Sequence, residues 1–448
     1  MNGQNKLQMR NYSPILAMII ANLFINIGYA QYWYGYSSMD HAGFNAMHIQ
    51  PASTINSPFL FDIHVVGIES YSITPEYFPL SIKILKEDPA LFLAENHKQV
   101  VGETITFPGF IWRLDKKNAV GLDIKLRSVF AIDPLESSLI DLLTDYLFLG
   151  GTESIQSDEQ LISRSSAWLE VGFNYSRNII KNNHHELNLG ITPKLFFGQG
   201  SANLQVENVN IEQDIDAGVV DITGLVGLQY SQTIDDWKVD EYSFLGRTSV
   251  AFSGGLEYIY RQSLDSDHKF KAGVSVLDLG RMKYERSMYA GTFQADHLLV
   301  DAETFEQVDI LKAWADLVRG FFDRIPDEEE KLIINLPSKL GLQLDYQIIP
   351  KVYINFSTYL AIQPDKSDLK NAPNFNTYVL TPRYESEKYG IGIPFIFDEY
   401  RGYSTGVSVF WGPFYLGLTN IFGSIFSEDG TNNLGGYFGV KFSKLSAR

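Results

Sequence analysis

A strict two-residue periodicity constrains this chain more than any other feature. Across 169–176 the odd positions carry apolar side chains and the even positions carry polar or small ones. The same alternation recurs over 120–127, 186–192, 340–348 and 351–360. Because successive residues of a strand point to opposite faces, each stretch predicts a strand with one apolar and one polar face. The predicted fold class is therefore all-β.

The length of the alternating stretches separates a membrane barrel from a soluble β-sandwich. Many exceed the roughly 5–6 residues of a typical soluble strand and suit the ~9–11 residues of a tilted membrane strand. The chain holds 30 Phe, 25 Tyr and 6 Trp, and they crowd the strand ends at Phe196, Tyr258 and Trp411. Such girdles mark the two membrane interfaces. We predict an antiparallel transmembrane outer-membrane β-barrel, with a soluble β protein as the alternative.

The number of strands follows less directly from the pattern. More candidate strands are visible than a barrel need contain, and some of them merge or lie outside the bilayer. Single-chain bacterial barrels have an even number of strands. We predict about 14, with 12 and 16 as alternatives.

The first 30 residues read as a secretory signal peptide. Lys6 and Arg10 precede an apolar stretch over 15–27, and small residues surround a cleavage site after Ala30. An uncleaved membrane anchor is the alternative, but the apolar run is short for a span. We expect cleavage near Ala30, residence of 31–448 in the outer membrane of a Gram-negative cell, and a single domain.

Two stretches depart from the two-residue period. Apolar residues recur at helical spacing near 135–149 and again near 301–325. Each predicts an amphipathic helix, either packed on the barrel rim or folded into the lumen as a plug. An acidic run over 327–330 follows the second helix.

The polar face of the strands supplies the candidate site residues. Charged residues on that face are expected to project into the lumen, where they can line a water-filled pore or pair across it. The lumen-facing candidates are Asp123, Lys125, Arg127, Glu170, Glu257, Asp345 and Lys351.

Composition and motifs argue against most chemistry. The chain has no cysteine and a formal net charge of −17, which excludes thiolate sites and disfavours nucleic-acid binding. The adjacent His184 and His185 point to opposite faces of a strand, and a turn containing Asp265 and Asp267 needs no calcium. We expect no enzyme activity, no cofactor and no metal site.

The last strand resembles the C-terminal signal read by the outer-membrane barrel assembly machinery. That signal places a polar residue before a glycine, with aromatic or apolar residues following at alternate positions. The matching residues are Asn433, Gly435, Phe438, Val440 and Phe442. Many such barrels end at the last aromatic residue of this signal, whereas this chain continues to Arg448. Outer-membrane lipid and the assembly machinery are the expected partners.

Several further motifs resemble a family of Bacteroidota outer-membrane barrels, domain-of-unknown-function family 5723. They lie at 274–280, 336–340, 389–394, 411–417 and 419–423, and more loosely at Asn45, Pro51 and Ala52. The family is distantly similar to long-chain fatty-acid transporter barrels and to barrel components of the type IX secretion apparatus. The resemblance implies a fold and a location but no catalytic residue.

Two functions remain open from the sequence. The first is passive transport of a small or amphipathic solute through a porin-like channel. The second is a non-enzymatic scaffold that binds surface or secretion-apparatus proteins through its acidic loops. An outer-membrane lipid hydrolase is the least favoured, since no segment shows a convincing Ser–His pair.

Overall fold

A computed structural model describes residues 33–73, 99–133, 155–214, 219–235, 248–263, 266–301, 323–325, 331–363, 368–399, 402–421 and 433–445. Most of these residues are in strands, whose bounds are β1 Phe59–Ile73, β2 Gln99–Thr106, β3 Gly109–Arg113, β4 Asn118–Asp133, β5 Ile155–Lys181, β6 His185–Asp214, β7 Val219–Tyr230, β8 Thr248–Arg261, β9 His268–Glu285, β10 Gly291–Asp301, β11 Asp323–Ile325, β12 Lys331–Asn335, β13 Lys339–Ile349, β14 Val352–Ala361, β15 Thr377–Glu385, β16 Tyr389–Gly392, β17 Phe395–Asp398, β18 Gly402–Thr405, β19 Val407–Trp411, β20 Phe414–Leu418 and β21 Asn433–Leu445. The helices are short: the 3-10 helix α1 (Asp40–His48), α2 (Ser53–Asn56) and α3 (Gln232–Asp235). None of the described helices has the length and apolar character that crossing a membrane requires.

The strands close into an antiparallel barrel. The first strand, β1, pairs with the last, β21, in a register that places Ile68 opposite Phe438. Four barrel strands are interrupted and are each made of two segments, namely β2 with β3, β12 with β13, β16 with β17, and β18 with β19. Three further strands, β7, β10 and β11, pair only with β6 and with one another and lie outside the closed wall. Without them, and with each interrupted strand counted once, the closed barrel has 14 strands, which confirms the predicted fold class and strand number.

Prolines lie at three of the four interruptions. Pro108 separates β2 from β3, Pro337 separates β12 from β13, and Pro394 separates β16 from β17. A proline has no N–H to donate, so it cannot continue a hydrogen-bonded ladder on both sides. The sequence therefore interrupts these strands without opening the barrel.

The barrel is apolar outside and polar inside. Leu189 of β6 is 41% exposed, while its neighbour Asn188 is 1% exposed. The same contrast separates the exposed Phe173 from the buried Asn174 on β5. A soluble β protein buries its apolar residues and exposes its polar ones, whereas a membrane barrel with a polar interior has the opposite arrangement, as seen here. The predicted phase of these strands is confirmed.

The two ends of the barrel differ in loop length. At one end short turns join β5 to β6, β13 to β14 and β19 to β20, and the start of β1 lies opposite the end of β21. At the other end most connections are longer, as between β1 and β2, β4 and β5, and β20 and β21, although only three residues join β17 to β18. Outer-membrane barrels have short periplasmic turns and long extracellular loops, so the chain enters β1 from the periplasmic side.

A sheet extends beyond the barrel on the long-loop side. The strands β5 and β6 have 27 and 30 residues, far more than the ~9–11 that cross a membrane. β6 pairs with β8 over its first half and with β7 over its second half, and β7 in turn pairs with β10. The parts of β5 and β6 beyond the barrel wall, together with β7 and β10, are called here the ledge.

The two predicted helical insertions, 135–149 and 301–325, fall almost entirely outside the described residues. The exceptions are Asp301, which ends β10, and Asp323–Ile325, which forms the short strand β11 rather than a helix. The predicted signal peptide, 1–30, also lies outside the described residues.

Candidate functional site

The lumen is occupied by the residues that precede β1. Residues 33–57, called here the N-terminal segment, run through the barrel interior and include α1 and α2. Trp33, Tyr36, Phe44 and Met47 in this segment are each at most 2% exposed. Gly43 kinks α1 with φ 56° and ψ −111°, a conformation that favours glycine. Helical spacing predicted a rim helix or a plug only in the later insertions near 135–149 and 301–325, and no sequence pattern revealed this segment as the one in the lumen.

Glycines in the wall make room for the segment. Gly190, Gly255 and Gly273 lie on three neighbouring strands, where β-carbons would collide with Gln50 or Pro51. The amide of Gln50 donates hydrogen bonds to the carbonyls of Leu256 and Val274, at 3.2 and 3.3 Å. The wall therefore contacts this part of the segment with its backbone, and only glycines at these wall positions allow so close an approach.

A buried ionic cluster lies on one side of the segment. This Glu170 cluster comprises Asp123, Lys125, Arg127, Glu170, Lys194 and Asp278. Glu170 accepts contacts from Lys125 at 3.3 Å, Arg127 at 3.3 Å and Lys194 at 3.4 Å. Three cations thus balance three carboxylates, which allows the charges to be buried together.

Asp278 reaches this cluster because the strand bulges. The register between β8 and β9 shifts next to Ser253, and Asp278 adopts φ 52°. The bulge turns its carboxylate inward, 2.6 Å from Lys194 Nζ and 2.8 Å from Arg127 Nη1. A hydroxyl hydrogen bond from Ser338 to the Asp278 carbonyl, at 2.7 Å, secures the bulge. The two sequence motifs around 274–280 and 336–340 therefore meet at one structural feature.

A second buried ionic cluster joins the segment to β9, β13 and β15. This Asp345 cluster comprises Asp40, His268, Lys271, Asp345, Arg383 and Glu385. Arg383 makes two hydrogen bonds to Asp345, at 2.9 and 2.7 Å. Asp40 of the segment contacts His268 at 2.9 Å and Lys271 at 2.8 Å. The segment thus contributes a charge of its own to the wall.

The titratable groups of the segment respond to these surroundings. Burial and the ammonium groups of Lys125 and Lys194 hold the pKa of His48 well below its usual range. Burial lowers the pKa of His41, but the hydrogen bond and charge of Glu385 outweigh it, and that pKa is raised. Burial opposes ionisation of Asp40, yet His268 and Lys271 outweigh it and hold its pKa well below the usual range.

Part of one loop also enters the barrel interior, on the long-loop side. In the connection between β14 and β15, Asn371, Ala372, Asn374 and Phe375 are buried. Asn374 donates to the Ser338 carbonyl at 2.8 Å. Beneath this loop lies an apolar group made of Val129, Trp168, Phe196, Ala251, Met282, Tyr284, Leu332, Ile334, Leu336 and Ala372. The described interior is thus filled at two levels, by the loop above and by the N-terminal segment below.

The cavities beside the segment are small. One is lined by Met39, Gln50 and Lys271, and the other by Trp33, His48 and Lys194, among further residues. Each has a volume of about 30 Å³. A buried water needs ~10–15 Å³, so each of these two cavities fits a few waters rather than an organic solute.

The structure brings most of the sequence candidates into these two clusters. Asp123, Lys125, Arg127 and Glu170 lie together in the first, and Asp345 lies in the second. Glu257 is 2% exposed and accepts a hydrogen bond from Asn188 at 3.4 Å.

Lys351 was wrongly assigned to the lumen. It lies in the turn between β13 and β14 with φ 69° and is exposed. Alternation predicts a face only within a strand, and Lys351 falls between two of them.

Sequence reasoning missed several members of the clusters. Lys194, Lys271 and Arg383 occupy inward positions of alternating strands, so the same periodicity could have found them. Asp278 breaks that periodicity because of the bulge, and nothing in the sequence signals the inward path of Asp40. Among the described residues no group of three or more His, Asp or Glu side chains has the arrangement of a metal site.

Comparison with known proteins agrees with the sequence motifs. A family model described as a family of unknown function, DUF5723, matches residues 46–418. The chain belongs to this family. No curated protein matches the chain significantly.

Solved structures resemble the chain only at very low identity. A ΔS2S3 mutant of the monoaromatic hydrocarbon channel TodX is 10% identical with a TM-score of 0.46, over 90% of this chain and 95% of that one. The toluene transporter TbuX of Ralstonia pickettii is 9% identical with a TM-score of 0.44, over 95% of this chain and all of that one, 100%. A FadL homologue of Pseudomonas aeruginosa is 9% identical with a TM-score of 0.40, over 89% and 93%. The barrel assignment rests on the strand pairing itself.

Proposed function

We propose that the protein is a non-enzymatic, passive channel of the outer membrane that admits a small or amphipathic solute when the N-terminal segment shifts. The observation that supports this is the contact between segment and wall. The segment fills the lumen. Its aromatic residues pack on the wall, as Trp33 does on Tyr415, and it is also held by buried ion pairs and hydrogen bonds, such as Asp40 with Lys271 at 2.8 Å. These polar contacts can be exchanged for contacts with water when the segment shifts.

The cellular setting belongs to the same proposal. Cleavage near Ala30 would leave the segment close to the new N-terminus, and the barrel would then be inserted by the assembly machinery. The apolar outer surface suits outer-membrane lipid as its surroundings. The relation to Bacteroidota proteins is a further part of the proposal and rests on the sequence motifs.

Permeation through reconstituted protein tests the channel. We would compare the wild-type protein with one lacking 33–57, using single-channel conductance and the swelling of liposomes in neutral sugars of increasing size. We expect small, intermittent conductance from the wild type and larger, steady conductance from the truncated form. If neither form passes any sugar or ion above an empty vesicle, the channel proposal is wrong.

A scaffold role is the second candidate, because β5, β6, β7 and β10 form a ledge beyond the barrel. The ledge carries β5 and β6 beyond the length that crosses a membrane, where a surface or secretion-apparatus protein can reach it. Pull-down with the intact protein, repeated after shortening the ledge between 200 and 230, tests this role. Unchanged permeation with lost co-purification would favour the scaffold.

A further inference from the structure

The barrel closes at one interface that differs from all others. β1 and β21 are the first and last strands, so their pairing joins residues at opposite ends of the chain. Closing so long a loop has the largest entropic cost of any strand pairing in the barrel. The ladder is also irregular, with register shifts between Phe59 and Phe61 and between His64 and Val66. Because of this entropic cost, support beyond the ladder would matter most at this closing seam.

The N-terminal segment makes polar contacts with both strands of the seam. On β1, Asp62 Oδ2 accepts from the backbone N–H of Phe44 at 2.9 Å. On β21, Lys441 Nζ donates to the carbonyls of His41 at 2.7 Å and Ala42 at 3.1 Å. Lys441 and Asp62 also pair with each other at 2.9 Å, across the seam. One kinked turn of the segment is thus held between two strands that are themselves joined.

A second pair of contacts of the same kind lies farther along the seam, toward the long-loop side of the barrel. The backbone N–H of Trp33 donates to Glu69 Oε1 on β1 at 3.1 Å. The hydroxyl of Tyr437 on β21 donates to the carbonyl of Tyr34 at 3.0 Å. Consecutive residues of the segment therefore contact opposite sides of the seam.

The seam is shaped to receive an aromatic side chain. Gly67 on β1 pairs directly with Gly439 on β21. A β-carbon on Gly67 would lie 2.5 Å from the Trp33 ring, and one on Gly439 would overlap the Tyr415 hydroxyl. Trp33 packs edge-on against Tyr415 with ring centroids 5.0 Å apart. The paired glycines form a groove along the seam in which these rings lie.

The two faces of β21 are used separately. Its outward residues include Phe438 and Phe442, 43% and 58% exposed, which belong to the predicted assembly signal. Its inward residues include Tyr437 and Lys441, which contact the segment. The surface that the assembly machinery would read and the surface that the segment grips do not overlap.

We infer that the N-terminal segment is an internal clamp that holds the closing seam between β1 and β21 together, a role separate from obstructing the lumen. The segment reaches the seam from inside, where it contacts both strands at two levels. The closed barrel in turn forms the site that retains the segment. Barrel closure and insertion of the segment are therefore coupled.

Hydrogen exchange of the reconstituted full-length protein tests this clamp. Trp33→Ala removes the ring from the seam groove, and Asp62→Asn weakens the lower contact more conservatively. We expect amide exchange in β1 and β21 to accelerate roughly fivefold in either variant, the factor that loss of one buried contact produces. Exchange in β13 and β14, on another part of the wall, should stay unchanged.

Gln50→Ala is the matched control, because Gln50 fastens the same segment to β8 and β9 instead of the seam. It should leave exchange in β1 and β21 unaltered. A cross-link supplies the rescue. The chain has no cysteine, and Ile68 and Phe438 face each other on the outer side of the seam. Joining Ile68→Cys to Phe438→Cys with a short bis-maleimide should restore slow exchange in Trp33→Ala. The pair Leu344→Cys and Phe356→Cys, between β13 and β14, should not.

Any of three results would overturn the clamp. Gln50→Ala and Trp33→Ala could accelerate amide exchange in β1 and β21 equally, or the acceleration could be spread evenly around the barrel. The third result is that neither Trp33→Ala nor Asp62→Asn accelerates exchange in β1 and β21. Exchange is read without any solute, so a failure of the channel proposal would leave this result intact. The converse also holds, because a permeable barrel can have an unclamped seam.

Discussion

Gly190 on β6 lies so close to Pro51 of the N-terminal segment that a β-carbon at Gly190 would overlap the Pro51 carbonyl group. The contact is with backbone on both sides, so no side-chain rotation relieves it. Gly190 also pairs with Gly255, whose own β-carbon would collide with Gln50. These glycines set how closely the segment can approach the wall.

Gly190→Ala should therefore displace the segment without removing it. We expect a loss of about 1–3 kcal/mol in the free energy of unfolding, the usual cost of overpacking. We also expect larger single-channel conductance, because the segment no longer seats in the lumen. Urea titration in lipid vesicles and planar-bilayer recordings measure the two effects.

Gly227→Ala is the control for that substitution. Its β-carbon would meet Gln205 at 3.5 Å, an ordinary contact on the ledge above the barrel. Stability and conductance should both remain near the wild-type values. Equal effects from the two alanines would mean that close approach of Pro51 is unimportant.

The structure also shows which features the sequence could predict and which it could not. Alternation in β5 and β6 predicted strands, their outward faces and the burial of Glu170, because period two is a local property of a strand. It failed at Lys351, where a turn interrupts the strand, and it did not reveal Asp278, which a bulge turns toward the lumen. The path of residues 33–57 through the lumen depends on contacts such as Asp40 with Lys271, more than two hundred residues apart along the chain. No local pattern encodes a contact of that range.

The Glu170 cluster predicts a large cost for losing its central carboxylate. Glu170→Gln would leave Lys125, Arg127 and Lys194 with two carboxylates instead of three. Removing one partner of a buried ion pair costs about 3–5 kcal/mol, because the remaining charges stay out of water. Denaturant unfolding of the reconstituted protein measures the loss.

Lys181→Gln provides the comparison with a pair at the periplasmic turn. Lys181 is paired with Glu186 at 2.8 Å, but its side chain is 48% exposed. Exposed pairs contribute about 0–1 kcal/mol. A comparable loss in both variants would contradict a special role for the buried cluster.

The outer surface predicts a depth-dependent cost for a positive charge. Ile191 of β6 is 38% exposed and lies midway along the part of β6 that pairs with β8. Ile191→Arg should lower the free energy of folding into vesicles by about 2–4 kcal/mol, since the guanidinium would lie near the bilayer centre. Ile180 is 52% exposed beside the turn between β5 and β6. Ile180→Arg should cost only ~0–1 kcal/mol, as expected near an interface. The membrane assignment of this surface would be wrong if both substitutions cost the same.

Two histidines of the N-terminal segment predict opposite responses to pH. The lowered pKa of His48 keeps its ring neutral in the folded protein, whereas an unfolded histidine takes up a proton near pH ~6.5. Stability should therefore fall as the pH drops below about 6.5, because only the unfolded chain gains that proton. His48→Gln should remove this part of the acid sensitivity.

His41 gives the contrary sign and serves as the internal control. The pKa of His41 is raised by Glu385, whose Oε1 lies 2.7 Å from His41 Nδ1. Its contribution is fully present below pH ~6.5 and is lost as the pH rises through the raised pKa. His41→Gln should thus destabilise the protein more at pH 6 than at pH 9. His48→Gln should do the opposite: relative to the wild type, its stability should improve as the pH is lowered. Unfolding titrations of both variants between pH 5 and pH 9 compare the two slopes. If the stability changes caused by the two substitutions depended on pH in the same way, the prediction would be wrong. The ion pair with Glu385 and the burial of His48 would then not give the two rings opposite pKa shifts.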